Sequence, residues 1–277
     1  MRVTICGTRG STPAPGQDFV RYGGHTSCVA IARDGQVPSL LLDAGTGLRK
    51  VWWLMRGRPF NGSILLGHLH WDHVHGLPFF RSGDDPDARV DLYIPAQGDD
   101  PEEVLARGMS PPHFPIRPSQ LRGTWAFHNL EEGEHEIEGF RVLAREVPHK
   151  GGRTYGYRIT DGESSVAYIS DHHPIALGDG PEGDGEYHPV ALELGHRVDL
   201  LIHDAQYTRS EFPARAHFGH STIDYAIGLG ERCEVGRLLL YHHDPPRSDD
   251  ELDHIVAAIG QRTVEVTAAR EDASYDI

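Results

Sequence analysis

Short apolar runs rich in β-branched and aliphatic residues recur along the chain, at Leu40 to Leu42, Ile64 to Leu66, Val142 to Val147, Val166 to Ser170, Leu200 to Ile202 and Leu238 to Tyr241. Runs this brief, apolar at successive positions and bounded by glycine, proline or polar clusters, predict buried strands. Helical spacing is found over residues 45–56, 72–80, 101–107, 221–230 and 248–260. The last opens with Ser248, Asp249, Asp250 and Glu251, an N-cap followed by acids in the first turn. Strands alternating with a few helices predict a layered α/β architecture rather than a bundle. Residues 109–120 carry four prolines and can form neither a regular helix nor a central strand; they are a candidate lid. Residues 178–189 are turn-formers and acids and are expected to be a loop insertion. With no internal repeat, residues 1–277 are expected to make one large domain.

The ends of the predicted strands share a chemistry. The six runs lead into Asp43, His68, His149, Asp171, His203–Asp204 and His242–His243. In α/β sheets the C-terminal edge of the strands is where ligands bind. Neutral imidazole and carboxylate on rigid strand ends suit a zinc-type cation, at about 2.0–2.2 Å per ligand. The segment after the second run holds His68, His70, Asp72 and His73 within six residues, too many ligands for one cation that must keep an open position, so two cations are expected. A solvated histidine-rich loop would explain that segment alone, but not five further strands ending in Asp or His. His113, His128, His135 and His188 are expected at the surface or in ordinary hydrogen bonds, and His75 and His243 beside the centre rather than in it.

Composition narrows the ligand. A formal charge of −15 argues against gripping extended nucleic acid, whose affinity rests on neutralising phosphates with Lys and Arg. No apolar stretch nears the roughly 20 residues of a membrane-spanning helix, and Met1 leads straight into the strand-like Arg2 to Cys6 without an apolar signal region; a cytoplasmic location is expected. Cys6, Cys28 and Cys233 are too far apart for a cysteine-based metal motif and are expected to be buried thiols.

The segments CGTRGSTP, GGHTSC, LLLDAGTG, H68-x-H70-x-D72-H73 followed by Gly76, VPH at 147–149, YISDH at 168–172, LLIHDAQYT at 200–208, GHST at 219–222 and RLLLYHHDP at 237–245 resemble the metallo-β-lactamase-fold hydrolases. Within them they resemble the branch of the tRNA 3′-processing endonucleases and related phosphodiesterases. The resemblance implies an αββα sandwich with two divalent ions at one edge of the paired sheets, zinc first and manganese second. It implies that His68, His70 and His149 hold one ion, that Asp72, His73 and His242 hold the other, and that Asp171 bridges them. Asp43 matches a buried aspartate that orients ligands.

A metal-bridging hydroxide would then be the nucleophile, with Asp72 orienting it or taking its proton. His220, in GHST, is the candidate acid for the leaving group or phosphate contact. Ser221 and Thr222 are candidate phosphate contacts, with helix capping as the equal alternative. Phe114 is a candidate wall for a substrate base, with an ordinary surface connection as its alternative.

The tRNA-processing members carry a basic protruding arm, and this chain has none; its insertion at 178–189 is acidic. The expected substrate is therefore a small phosphodiester such as a cyclic nucleotide or cyclic phosphate. The alternatives are a tRNA 3′-processing endonuclease, a lactone, ester or thioester hydrolase, and a non-hydrolytic sensor or redox protein. His70 argues against the last, since redox relatives carry an acid there. His25 and His173 depart from the family pattern and receive no role. A homodimer is compatible with the family, and residues 51–55 are either an interface or a core-facing helix.

Overall fold

The computed structural model describes residues 1–277. One seven-stranded sheet has the order β14 (Ser274–Asp276), β1 (Arg2–Gly7), β2 (Cys28–Ala32), β3 (Leu40–Leu42), β4 (Asn61–Leu65), β5 (Arg89–Pro95) and β6 (Thr124–Leu130). The other has the order β13 (Glu265–Ala268), β12 (Arg237–Tyr241), β11 (Leu200–Asp204), β10 (Ser165–Ile169), β9 (Tyr155–Thr160), β8 (Phe140–Glu146) and β7 (Gly133–Ile137). Seven helices flank them: α1 (Val51–Leu54), α2 (Trp71–Val74), α3 (Pro101–Ala106), α4 (Pro189–Gly195), α5 (Phe212–Arg215), α6 (Ile223–Arg232) and α7 (Asp249–Ala258).

Strand periodicity explains the layers. Successive side chains point to opposite faces, so Leu40 and Leu42 face the second sheet while Leu41 faces the outer helices. The inner core joins Val3, Ile31 and Leu42 to Tyr157, Ile202 and Leu239 across the two sheets. One outer core packs Leu41, Ile64 and Leu92 under Leu48, Val51 and Leu105. The other packs Leu201 and Leu238 under Leu194, Ala226 and Leu229. Both faces of the central strands are thus covered, and runs such as LLL and LLI must be apolar throughout. Each fully buried leucine contributes about 1.5–3 kcal/mol relative to exposure. The result is the αββα sandwich expected from the sequence.

β3, β4, β5 and β6 run parallel, as do β10, β11, β12 and β13. Two antiparallel pairings, β8 with β9 and β9 with β10, bring β8 into the same direction as β10. The C-terminal ends of β3 to β6 lie on one edge of the first sheet and those of β8 and β10 to β13 on one edge of the second, which gathers the Asp and His residues that follow them.

The helices differ in detail from their sequence pattern. Residues 45–56 form a 3-10 turn (Thr46–Lys50) before α1, and residues 72–80 divide into α2 and the 3-10 turn Leu77–Phe79. Gly76 and Pro78 interrupt the second, since proline lacks the N–H an interior turn requires. Helix α4 opens on Pro189, where the missing N–H costs nothing, but the pattern there reads as the end of a loop. The 109–120 segment holds only a short turn at Pro118–Gln120, and residues 178–188 hold no helix or strand. Val51 and Met55 are buried in the outer core, so the core-facing reading of residues 51–55 accounts for them; Trp53 is exposed.

Candidate metal centre

His68 and His70 follow β4, His149 follows β8, Asp171 follows β10 and His242 follows β12. His70 precedes α2, whose single turn turns Asp72 and His73 inward to burial. His68, His70 and His149 each offer a ring nitrogen within 4.8 Å of the other two, and so do the ligand atoms of Asp72, His73 and His242. Asp171 stands between the groups. Its Oδ1 is 3.8 Å from His68 Nε2, 3.7 Å from His149 Nε2 and 3.4 Å from His242 Nε2, and its Oδ2 is 3.1 Å from His73 Nε2. Ligands about 2.0–2.2 Å from one cation lie roughly 3–4 Å apart, so the spacing fits.

Surrounding hydrogen bonds aim the rings. His73 Nδ1 donates to Asp43 Oδ2 (2.7 Å), His149 Nδ1 to the Gly219 carbonyl (2.8 Å) and His242 Nδ1 to Gln206 Oε1 (3.1 Å). Each bond commits one nitrogen and turns Nε2 toward the centre. Asp43 is itself held, accepting from Gly67 N–H (2.6 Å) and Tyr168 O–H (2.6 Å). Both ring nitrogens of His68, Nε2 of His73 and His149, and Oδ2 of Asp171 are buried without a hydrogen-bond partner. Five such atoms in one spot would be costly unless a cation satisfies them, which is the chemistry this donor set fits.

The acids and histidines of the cluster shift one another strongly. Burial alone would raise the Asp171 carboxyl, but His242, His73 and His68 outweigh it and hold it well below the usual range; Asp72 behaves alike beside His73 and His242. Burial opposes charge on His242 too, yet Asp171 and Asp72 lift its pKa to about 9. His149, with burial dominant, is pushed down to about 4 and stays neutral, the form a metal needs.

Three of the eight non-glycine residues with positive φ lie at the centre. Ser11, Asp43 and His242 have φ of 58, 61 and 59°, a left-handed conformation that costs a non-glycine residue roughly 1–2 kcal/mol. At Ser11 it aims the backbone N–H at Asp72 Oδ2 (2.7 Å). Asp72 Oδ2 also lies 3.1 Å from His242 Nε2, and Oδ1 has no protein hydrogen bond. Gly10 must lack a side chain, because a Cβ would sit 2.4 Å from His242 Nδ1.

His220 lies beside the centre, its ring stacked on His242 at 4.9 Å. Its Nδ1 donates to Asp204 Oδ2 at 3.1 Å. Asp204 also accepts from the N–H groups of His172, Ser221 and Gln206. Asp204 and Gln206 are functional candidates that motif reading passed over. The first was visible as an acid at a strand end; for Gln206 no sequence signal exists.

Two candidate contacts are redirected. Ser221 and Thr222 are wholly buried, Ser221 Oγ donating to the His172 carbonyl (3.0 Å) and Thr222 Oγ1 to Asp184 (3.0 Å) while it caps α6 by accepting from Tyr225 N–H (2.9 Å). Both hydroxyls bond within the protein, and that of Thr222 is the cap of α6, in line with the capping alternative. Phe114 lines a large cleft but packs edge-on against Phe79, with ring centroids 6.1 Å apart. His75 stacks on Trp71, and His243 donates to the Ala269 carbonyl away from the centre. His25 sits by Thr46, and His173 opens the short turn Pro174–Leu177.

A family model described as the beta-lactamase superfamily domain matches residues 39–243. Ribonuclease Z of Natronomonas pharaonis is 25% identical over 288 aligned positions, covering 87% of this chain and 86% of that protein. Among solved structures, a diphosphatase of the PhnP family superposes with a TM-score of 0.72 at 19% identity, covering 100% of this chain and 97% of that one. The short form of human tRNase Z does so with a TM-score of 0.68 at 20% identity, covering 100% and 99%.

Proposed function

The chain belongs to the β-lactamase superfamily and is a metal-dependent hydrolase, and from that premise we propose that it cleaves a small phosphodiester, such as a cyclic nucleotide or another cyclic phosphate, using two divalent cations, zinc before manganese. His68, His70 and His149 would hold one, Asp72, His73 and His242 the other, and Asp171 both. Such a pair acidifies water and neutralises charge developing on phosphate. The carrying observation is Asp171, within 3.8 Å of histidines from both groups.

The chain's own residues do the rest. Asp72, ionised and with Oδ1 free of protein donors, orients the attacking water and takes its proton. His220 delivers a proton from Nε2 to the departing alkoxide, while Asp204 holds Nδ1–H and balances the imidazolium. An alkoxide is a poor leaving group and needs that proton to depart.

RNA is the second reading, favoured by the name ribonuclease Z on the curated relative and opposed by the charge of −15. Elemental analysis should find close to two metal equivalents, and a panel of cyclic nucleotides, cyclic phosphosugars, precursor tRNA and lactones should show turnover of the cyclic phosphodiesters. One firmly bound iron with no phosphodiester hydrolysis overturns the proposal. Precursor tRNA as the sole substrate replaces it with the second reading.

A further inference from the structure

A large cleft, about 1470 Å³, begins at the rim of the candidate metal centre. Leu69, between two of the candidate ligands, lines it, as does Gly151, where a Cβ would come within 2.7 Å of His70 Nε2. Trp71 occupies the variable position of H70-x-D72 and stands at this junction. One face of its indole stacks on His75, with centroids 5.5 Å apart and planes 20° apart, yet 70% of Trp71 is exposed. Phe79, 60% exposed, continues the aromatic wall and is braced by Phe114.

The cleft also reverses the charge of the chain. Acids outnumber bases 41 to 26 overall, but the lining holds four arginines and a single carboxylate, Asp84. Arg107 and Arg153 are ion-paired, to Asp99 and Glu131. Arg49 and Arg81 form no ion pair, and Arg81 lies over the Trp52 ring at 3.9 Å. An open indole face in a cleft that also holds guanidinium groups without ion pairs suits a flat π system that carries negative charge; an aliphatic chain would gain nothing from the arginines. The volume exceeds the roughly 300–1,000 Å³ of pockets built for one small ligand, leaving room for more than one nucleotide unit.

We propose that Trp71 is a specificity-determining residue whose open indole face stacks the base of a nucleotide while the phosphodiester lies at the metal centre, with Arg49 and Arg81 drawing the anion in. This rests on the phosphodiesterase reading and selects, among its substrates, those that carry a base.

The test pairs a nucleoside 2′,3′-cyclic phosphate with base-free ribose cyclic phosphate, in wild type, Trp71→Ala and Trp71→Phe. Trp71→Ala should lower the kcat/KM ratio of the nucleotide over the base-free substrate by at least about ten-fold, mainly through KM, in line with the loss of one base–aromatic stack. Trp71→Phe should restore most of that ratio. An unchanged ratio, both substrates losing equally, overturns the proposal. Binding decides it independently of turnover: a nucleoside 5′-monophosphate should quench tryptophan fluorescence saturably in wild type and not in Trp71→Ala, whereas ribose 5-phosphate should quench neither. Equal quenching in the two proteins also overturns it. If neither cyclic phosphate is turned over, the quenching result still judges Trp71, and the wider substrate panel judges the phosphodiesterase reading. Because Trp71 is largely exposed, its truncation leaves the core intact, and an unchanged circular dichroism spectrum verifies this.

Discussion

Asp204 accepts four hydrogen bonds at once, three from backbone N–H groups and one from His220, so it fixes both the loop before α6 and the ring it carries. Asp204→Asn keeps the shape but removes the charge that balances a protonated His220. Turnover of a substrate with an alkoxide leaving group should fall by 10²-fold or more, within the range of a lost general acid, while an activated aryl phosphodiester should be affected much less. Equal losses on the two substrates would remove the Asp204–His220 pair from proton delivery. Gln206 shows the same economy on a second ring, since its Oε1 takes the Nδ1 proton of His242 and leaves Nε2 for the centre.

At the level of elements, the start of α6 separates two meanings of one signal. Ser-Thr before a helix reads equally as a phosphate cradle and as a cap, and the observed bonds favour the cap: Thr222 accepts from Tyr225 N–H and ties α6 to Asp184 in the acidic insertion. Thr222→Ala should cost about 1 kcal/mol of stability, measured by urea unfolding, and leave KM for the phosphodiester within about two-fold. A several-fold rise in KM would return Thr222 to the substrate. The strand ends carry the opposite lesson. Parallel pairing of β3 with β4 and of β10, β11 and β12 makes their C-terminal residues neighbours whatever their distance in the chain, so the rule of acids and histidines after apolar runs located the centre from local pattern.

For the whole molecule, buried neutral histidines couple stability to pH. Burial pushes His243 down to about 3 and holds His203 below its ordinary value, and neither belongs to the candidate ligand groups. The unfolded chain protonates these rings near 6.5 and the folded chain does not. The contribution is therefore full above about pH 6.5; that of His243 is lost as the pH falls toward about 3, at up to about 1.4 kcal/mol per pH unit, and His203 acts in the same direction. The urea midpoint should drop measurably between pH 7.5 and 5.5. A flat profile would mean that protons reach the rings in the folded state.

The sequence by itself determined which residues could bind metal and which edge of the sheets would carry them. Both follow from local facts: apolar runs must be buried, and the residue that ends such a run is held rigidly at the sheet edge. It also determined that the central strands are covered on both faces, because LLL at residues 40–42 and LLI at 200–202 are apolar throughout; that one cover is a second sheet was implied only by the family resemblance. Tertiary structure alone decided what pairs with what. That Asp204 holds His220, that Gln206 holds His242, that Ser11 points its N–H at Asp72 from 61 residues away, and that Trp71 looks into an arginine-lined cleft all depend on how two twisted sheets dock. Hydrophobic periodicity constrains each strand separately; the relative placement of strands from different sheets is set by the close packing of the shared core, a property of all its side chains together.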